Sequence, residues 1–178
     1  MTLETALNEH SIDKEDVYSG WISRAVVDPR ALEEVLKKAF GGNERERKRG
    51  NWILHHVSDR KPEVFRPYFG RMRGQLSLAQ TEAELRFVLR YFSKYELPED
   101  EDFEAFMLDY CFEKLLEPGK SRAPRIYSMS ILYRLVLRYP ELAKELDDSI
   151  EMALNGANPG LKSRAKHVRA GLRKNGLI

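Results

Sequence analysis

The chain has 178 residues, 42% apolar and 33% charged, with 30 basic against 28 acidic side chains and a formal net charge of +2. That length suits one folded body and excludes two ordinary domains joined by a linker, while the composition excludes a disordered chain. So small a net charge gives no argument for nucleic acid by itself, and the placement of the charges carries the information.

The first residues, Met1 to Thr5, lack a basic region leading into an apolar run, and no segment reaches the roughly 18 apolar residues of a membrane span. A cytoplasmic protein without membrane contact is the expectation. Residues 1–12 are polar apart from Leu3, Ala6 and Leu7; they fit a short helix or a frayed end equally and receive no role. Asp13 is placed to cap a helix through about Val27, with Val17, Trp21, Ile22 and Ala25 at helical spacing. Asp28-Pro29 then reads as an N-cap followed by proline at the first helical position, and the partner helix carries Leu32, Val35, Leu36, Ala39 and Phe40 up to Gly41-Gly42.

Asn43 caps a helix over about 44–60 whose apolar stripe is Gly50, Ile53, Leu54 and Val57, and Pro62 starts its partner with Val64, Phe65, Tyr68, Phe69, Met72 and Leu76. Pro67 has no N–H to give, so that partner is kinked or begins properly after it. Thr81 opens a helix of about 82–96, ended by Leu97-Pro98; the acidic run Glu99 to Asp102 leads into another through Leu116, and Pro118-Gly119 closes this hairpin. Acidic residues there suit the positive end of a helix dipole. Cys111, the single cysteine, lies in the apolar run Phe106 to Phe112, which forbids an internal disulfide and points to core packing.

Residues 122–139 form the helix most surrounded by apolar side chains, Ile126, Met129, Ile131, Leu132, Tyr133, Leu135, Val136 and Leu137, so it needs neighbours on two or three sides. Pro140 begins the next, with Leu142, Leu146, Ile150 and Leu154, and after the break at residues 155–160 a last helix of about 160–174 has the narrow stripe Leu161, Ala165, Val168 and Leu172. No segment alternates with period two for long enough to be a strand. The reading is one all-α domain over 1–178, of about four helical hairpins plus a closing helix.

One pattern recurs. Asn51 to Val57 runs into Pro62-Glu63, and Met129 to Leu135 runs into Pro140-Glu141; the two prolines lie 78 positions apart, two steps of about 39, near the roughly 40-residue period of paired-helix repeats. The unit from Leu132 to Leu146, echoed from Leu54 to Phe69, resembles HEAT or armadillo-like repeats over about 44–174. The third hairpin departs from that register, with Pro98 in place of a proline near position 101. The resemblance implies a right-handed α-α superhelix that binds proteins or, in one branch that includes HEAT-like DNA glycosylases, DNA. It implies no catalytic residue, and no cofactor.

At 100° per residue the first helix of successive hairpins carries a basic stripe: Arg86, Arg90 and Lys94; Arg134 and Arg138 beside Tyr127 and Ser130; Lys162, Lys166, Arg169 and Arg173. The 44–60 helix adds Arg45, Arg49, Trp52, His56 and Arg60. Acidic residues collect on second helices, from Glu99 to Glu117 and from Glu141 to Glu151. Stacked hairpins would join the basic stripes into a ridge for an anionic partner, an acidic protein segment first and nucleic acid as the alternative. The competing reading is that basic and acidic helices attract each other across the hairpin.

Trp52 and His56, at i and i+4, suit either a stacking platform or, the preferred reading, packing against the adjacent repeat. His55 and His56 point about 100° apart and clamp no metal between them; His55 is set to pair with Asp59. His10 and His167 have no metal-like spacing around them. There is no Gly-rich phosphate loop, Gly-x-Ser-x-Gly elbow or HExxH, Ser128-Met129-Ser130 sits inside an apolar helix, and Glu113 with Glu117 reads as a solvated pair. A non-enzymatic interaction module follows, with a nucleic-acid-binding protein or HEAT-like repair glycosylase as the alternative.

Overall fold

Every regular element among the described residues of the computed structural model is helical, and those residues are 2–8, 14–79, 82–117 and 122–178, with side chains left out for 14–17. The elements run α1 (Leu3–Asn8), α2 (Lys14–Val27), α3 (Pro29–Gly41), α4 (Glu44–Arg60), a 3₁₀ segment (Pro62–Tyr68), α5 (Phe69–Leu78), α6 (Glu82–Lys94) and α7 (Glu101–Leu116). They continue with α8 (Arg122–Val136), a 3₁₀ turn (Pro140–Leu142), α9 (Ala143–Leu154) and α10 (Pro159–Lys174).

Short polar side chains set the starts. Asp28 accepts the Arg30 N–H at 2.9 Å ahead of Pro29. Asn43 and Glu46 satisfy each other's backbone N–H groups in a capping box, both at 3.0 Å, which removes two of the donors a helix start leaves over. Asp100 and Asn158 each satisfy one such donor, accepting the N–H of Phe103 at 2.8 Å for α7 and of Leu161 at 3.1 Å for α10. The caps expected from Asp13 and Thr81, and the turn at Pro118-Gly119, lie outside the described residues.

The chain forms two compact units, Met1–Tyr91 and Phe92–Ile178. In the first, α4 is the central helix, with α1, α2, α3 and the first 3₁₀ segment packed on it. Gly50 lets α3 come close: a Cβ there would stand 2.9 Å from the Cα of Ala39. Its apolar centre is a cluster of rings, with Phe87 tilted against Phe65 at 5.4 Å and Phe40 at 6.4 Å, and Tyr91 edge-on to Phe65. The Tyr91 hydroxyl donates to the Pro62 carbonyl at 2.7 Å, so its polar tip is satisfied inside the unit.

In the second unit α8 takes the central place, with α7, α9 and α10 against it. Its core is mostly aliphatic, from Ile131, Leu132, Leu135 and Val136 to Leu146, Ile150, Leu161 and Leu172, all at 0% exposure, with Phe92 edge-on to Phe103 at 5.0 Å. Cys111 is buried there as expected, and burial pushes its thiol up to about 12.

Both central helices end alike. Lys61 (φ −152°, ψ 77°) and Tyr139 (φ −122°, ψ 72°) leave the helix with ψ turned positive, each with its N–H still bonded back to the helix, and a proline then starts a 3₁₀ turn. The clash between a proline ring and the residue before it disfavours helical geometry at that residue. The repeat seen in the sequence is thus a repeat of backbone geometry.

Two open alternatives close and two helix boundaries move. Residues 3–8 are part of the body, since Leu3 and Leu7 are fully buried and Ala6 nearly so; a six-residue helix has no stability of its own, and packing on α4 supplies it. The α8 helix stops at Val136 rather than 139, and α6 at Lys94 rather than 96. The partner of α4 is split: Pro67 falls inside the 3₁₀ segment and the α-helix begins only at Phe69, the second of the two outcomes that its missing N–H allowed.

Candidate interaction surfaces

Helix α10 is built one-sided. Leu161, Ala165, Val168 and Leu172 are buried, and the rest of its circumference carries Lys162, Arg164, Lys166, Arg169, Arg173 and Lys174, with no carboxylate in the helix. Arg169 is tied down: its Nε donates to Asp147 Oδ1 at 2.6 Å and its Nη2 to Glu151 Oε2 at 2.9 Å and the Asp147 carbonyl at 3.1 Å. That fixes α10 against α9. Lys162, Lys166 and Arg173 share the Arg169 stripe, are exposed, and make no ion pair among the described residues.

The other cations expected in a ridge are spent within their own units. Arg90 pairs with Asp59 at 2.7 Å and Arg86 with Glu82 one turn away at 3.2 Å. Arg60 donates to Ser23 Oγ at 3.2 Å. Arg134 donates to the Phe92 carbonyl, and burial, with Arg138 nearby, holds its pKa below the usual guanidinium range. Arg138 binds the buried carboxylate of Glu104, which also accepts from the Tyr139 hydroxyl, and reaches Glu99 at 3.3 Å. These contacts join the end of α8 to the start of α7.

His55 does not take Asp59. Its ring stands edge-on to Phe87 at 5.6 Å and 89°, while the Asp59 carboxylate goes to Arg90. Burial first, and the positive charge of Arg90 second, bring the His55 pKa down to about 4. A neutral imidazole therefore borders the ring cluster of the first unit, partly buried against Phe87. His167 places Nδ1 2.7 Å from the Ser163 carbonyl, and His10 lies outside the described residues.

The second surface lies on α4. At helical spacing Arg45, Lys48, Arg49, Trp52 and His56 fall within about a third of its circumference. The half-buried Trp52 ring has His56 at 4.0 Å and Tyr18 of α2 at 5.5 Å. Arg45 and Arg49 reach the last carbonyls of α1, Asn8 at 3.1 Å and Leu7 at 2.8 Å, as cations do at helix C-termini. The cleft so formed measures about 680 Å³ and is lined by Tyr18, Trp52, Arg45, Lys48, Arg49 and the Asn8, Asn43, Glu44 edge. Sequence reading missed Tyr18 and Lys48 here. Lys48 sits one turn before Trp52 and was detectable as such; nothing local ties Tyr18 to Trp52, more than thirty residues on.

Paired α-helices with proline-started second members, recurring at the same backbone geometry, define an all-α helical-repeat protein. A family model described as a HEAT repeat domain matches residues 3–172, and the chain belongs to the HEAT-repeat family. Neither a curated protein nor a solved structure matched it. A helical-repeat scaffold of the protein-interaction kind is what that membership suggests. Among the described residues no helix is long and apolar enough to cross a membrane.

Proposed function

We propose that residues 1–178 form one HEAT-like repeat domain working as a non-enzymatic interaction module, and that the cationic stripe of α10 receives an acidic polypeptide segment. One observation carries this: α10 has six cations and no carboxylate, and on the stripe only Arg169 is neutralised by its own unit. Lys162, Lys166 and Arg173 span eleven positions of one helix, about 16 Å along its axis, a length that a short extended acidic segment covers.

Number decides between a peptide and a duplex. Proteins that grip DNA through 6–10 phosphates lose about a thousandfold or more in affinity between 50 and 200 mM salt, and the three exposed cations aligned on this stripe, with Arg164 and Lys174 turned away from it, fall short of that. Titration of the full chain with a fluorescent oligo-glutamate peptide tests the reading. Binding that weakens moderately with salt and is abolished by Lys162→Glu, Lys166→Glu and Arg173→Glu together is expected. Unchanged binding by that variant, or tighter and steeply salt-dependent binding to random duplex DNA, overturns it.

A further inference from the structure

The cleft on α4 is a different place from the α10 stripe, in the other unit, and its chemistry is different. Structural duty accounts for part of it: Arg45 and Arg49 close the C-terminus of α1. It does not account for Lys48, which is exposed and makes no ion pair among the described residues, nor for a tryptophan left half-buried at the floor of a cleft when Trp21 of the same unit is 6% exposed. A volume of 680 Å³ falls in the range of roughly 300–1,000 Å³ typical of small-molecule sites. Three cations against the single carboxylate of Glu44 make the lining positive.

The spacing of these groups selects the ligand. Lys48 lies four residues and Arg45 seven residues before Trp52 on one helix face, which sets their backbone positions about 6 and 10 Å along the axis from that of Trp52. The ring is at one end of the row and the cations at the other. A base joined to a phosphate through a sugar matches that order, with the base on Trp52 and the phosphate at the cationic end. The geometry points to a binding site for a nucleoside monophosphate in the cleft between α1, α2 and α4. The base stacks on the Trp52 face beside Tyr18; the phosphate takes charge-assisted hydrogen bonds from Lys48 and from the guanidinium groups oriented by the α1 carbonyls.

Tryptophan fluorescence of the full chain tests this, with Trp21→Phe as background so that only Trp52 reports. Adenosine monophosphate at up to millimolar concentration should quench saturably, adenosine should bind at least tenfold more weakly, and inorganic phosphate should compete. Lys48→Ala, an exposed change that leaves the melting temperature in place, should raise Kd about tenfold, the factor one lost charge-assisted contact gives. Absence of saturable quenching overturns the proposal, as does equal binding of adenosine and its monophosphate. Indifference to Lys48→Ala also overturns it, and so does binding of a short single-stranded oligonucleotide without binding of the mononucleotide.

Discussion

The two units solve the same problem with different interiors. Each surrounds one central helix, α4 or α8, that ends before a proline-started 3₁₀ turn. The first gathers rings at its centre, Phe65, Phe87 and Tyr91, with the partly buried His55 beside them. The second is more aliphatic, with the buried ring pair Phe92 and Phe103, and arginines hold its helices as Arg45 and Arg49 do in the first: Arg138 to Glu104, Arg169 to Asp147 and Glu151, and Arg125 to the carbonyls of Leu115 and Ala153. A repeat plan therefore asks only for apolar stripes in register and satisfied helix ends. It leaves the chemistry of the core free, and sensitivity to substitution, charge and pH should differ between the halves.

The largest test of that difference is Phe87→Ala. Phe87 touches Phe40, His55 and Phe65 and is fully buried, so the cavity should cost about 4 kcal/mol. Hydrogen exchange should show the loss first in the amides of α3 and α4; equal loss of protection in α9 and α10 would mean that the units do not open separately.

Arg138→Ala comes next. It leaves the Glu104 carboxylate, 5% exposed, with only the Tyr139 hydroxyl among its side-chain partners here. Stranding a buried charge costs about 3–5 kcal/mol, but Arg138 itself is partly in water, which lowers the expected loss to about 2 kcal/mol. Arg138→Ala with Glu104→Leu should recover much of it. A double variant no more stable than the single one would show that the pair is not what holds α7 to α8.

The smallest effect concerns pH and belongs to the first unit. The folded pKa of His55, about 4, lies below its ordinary value near 6.5. In that interval the unfolded chain binds a proton that the folded chain refuses. The stability tied to the neutral ring is thus complete above about pH 6.5, falls as pH drops toward 4, and changes no further below that. Between pH 7 and pH 4.5 the loss should be on the order of 2 kcal/mol, reduced by solvent screening of the partly exposed ring. Denaturant melts of the wild type and of His55→Phe at pH 7 and pH 4.5 measure it, and an undiminished pH effect in the variant would place the titrating group elsewhere.

Much of this architecture was readable before any coordinates. Asp28-Pro29 and Asn43 announce helix starts through bonds to residues two or three positions on, and the equally local caps of Asp100 and Asn158 were missed. Pro62 and Pro140 break helices by a clash with their immediate neighbours. The fate of the cations was not readable in the same way. Arg90 finds Asp59 across 31 positions, Arg138 finds Glu104 across 34, and Arg134 finds the Phe92 carbonyl across 42. A stripe drawn on an isolated helix cannot tell a side chain that reaches its neighbour from one that faces water.

By itself the sequence determined the helices, their caps, the breaks at proline and the repeat, because each depends on backbone geometry and hydrogen bonds within a few residues. Only the tertiary structure decided which charges remain outside, that α1 is part of the first unit, and that Tyr18 closes a cleft with Trp52. Those outcomes depend on which helix faces meet, and that is settled by burial of side chains far apart in the chain.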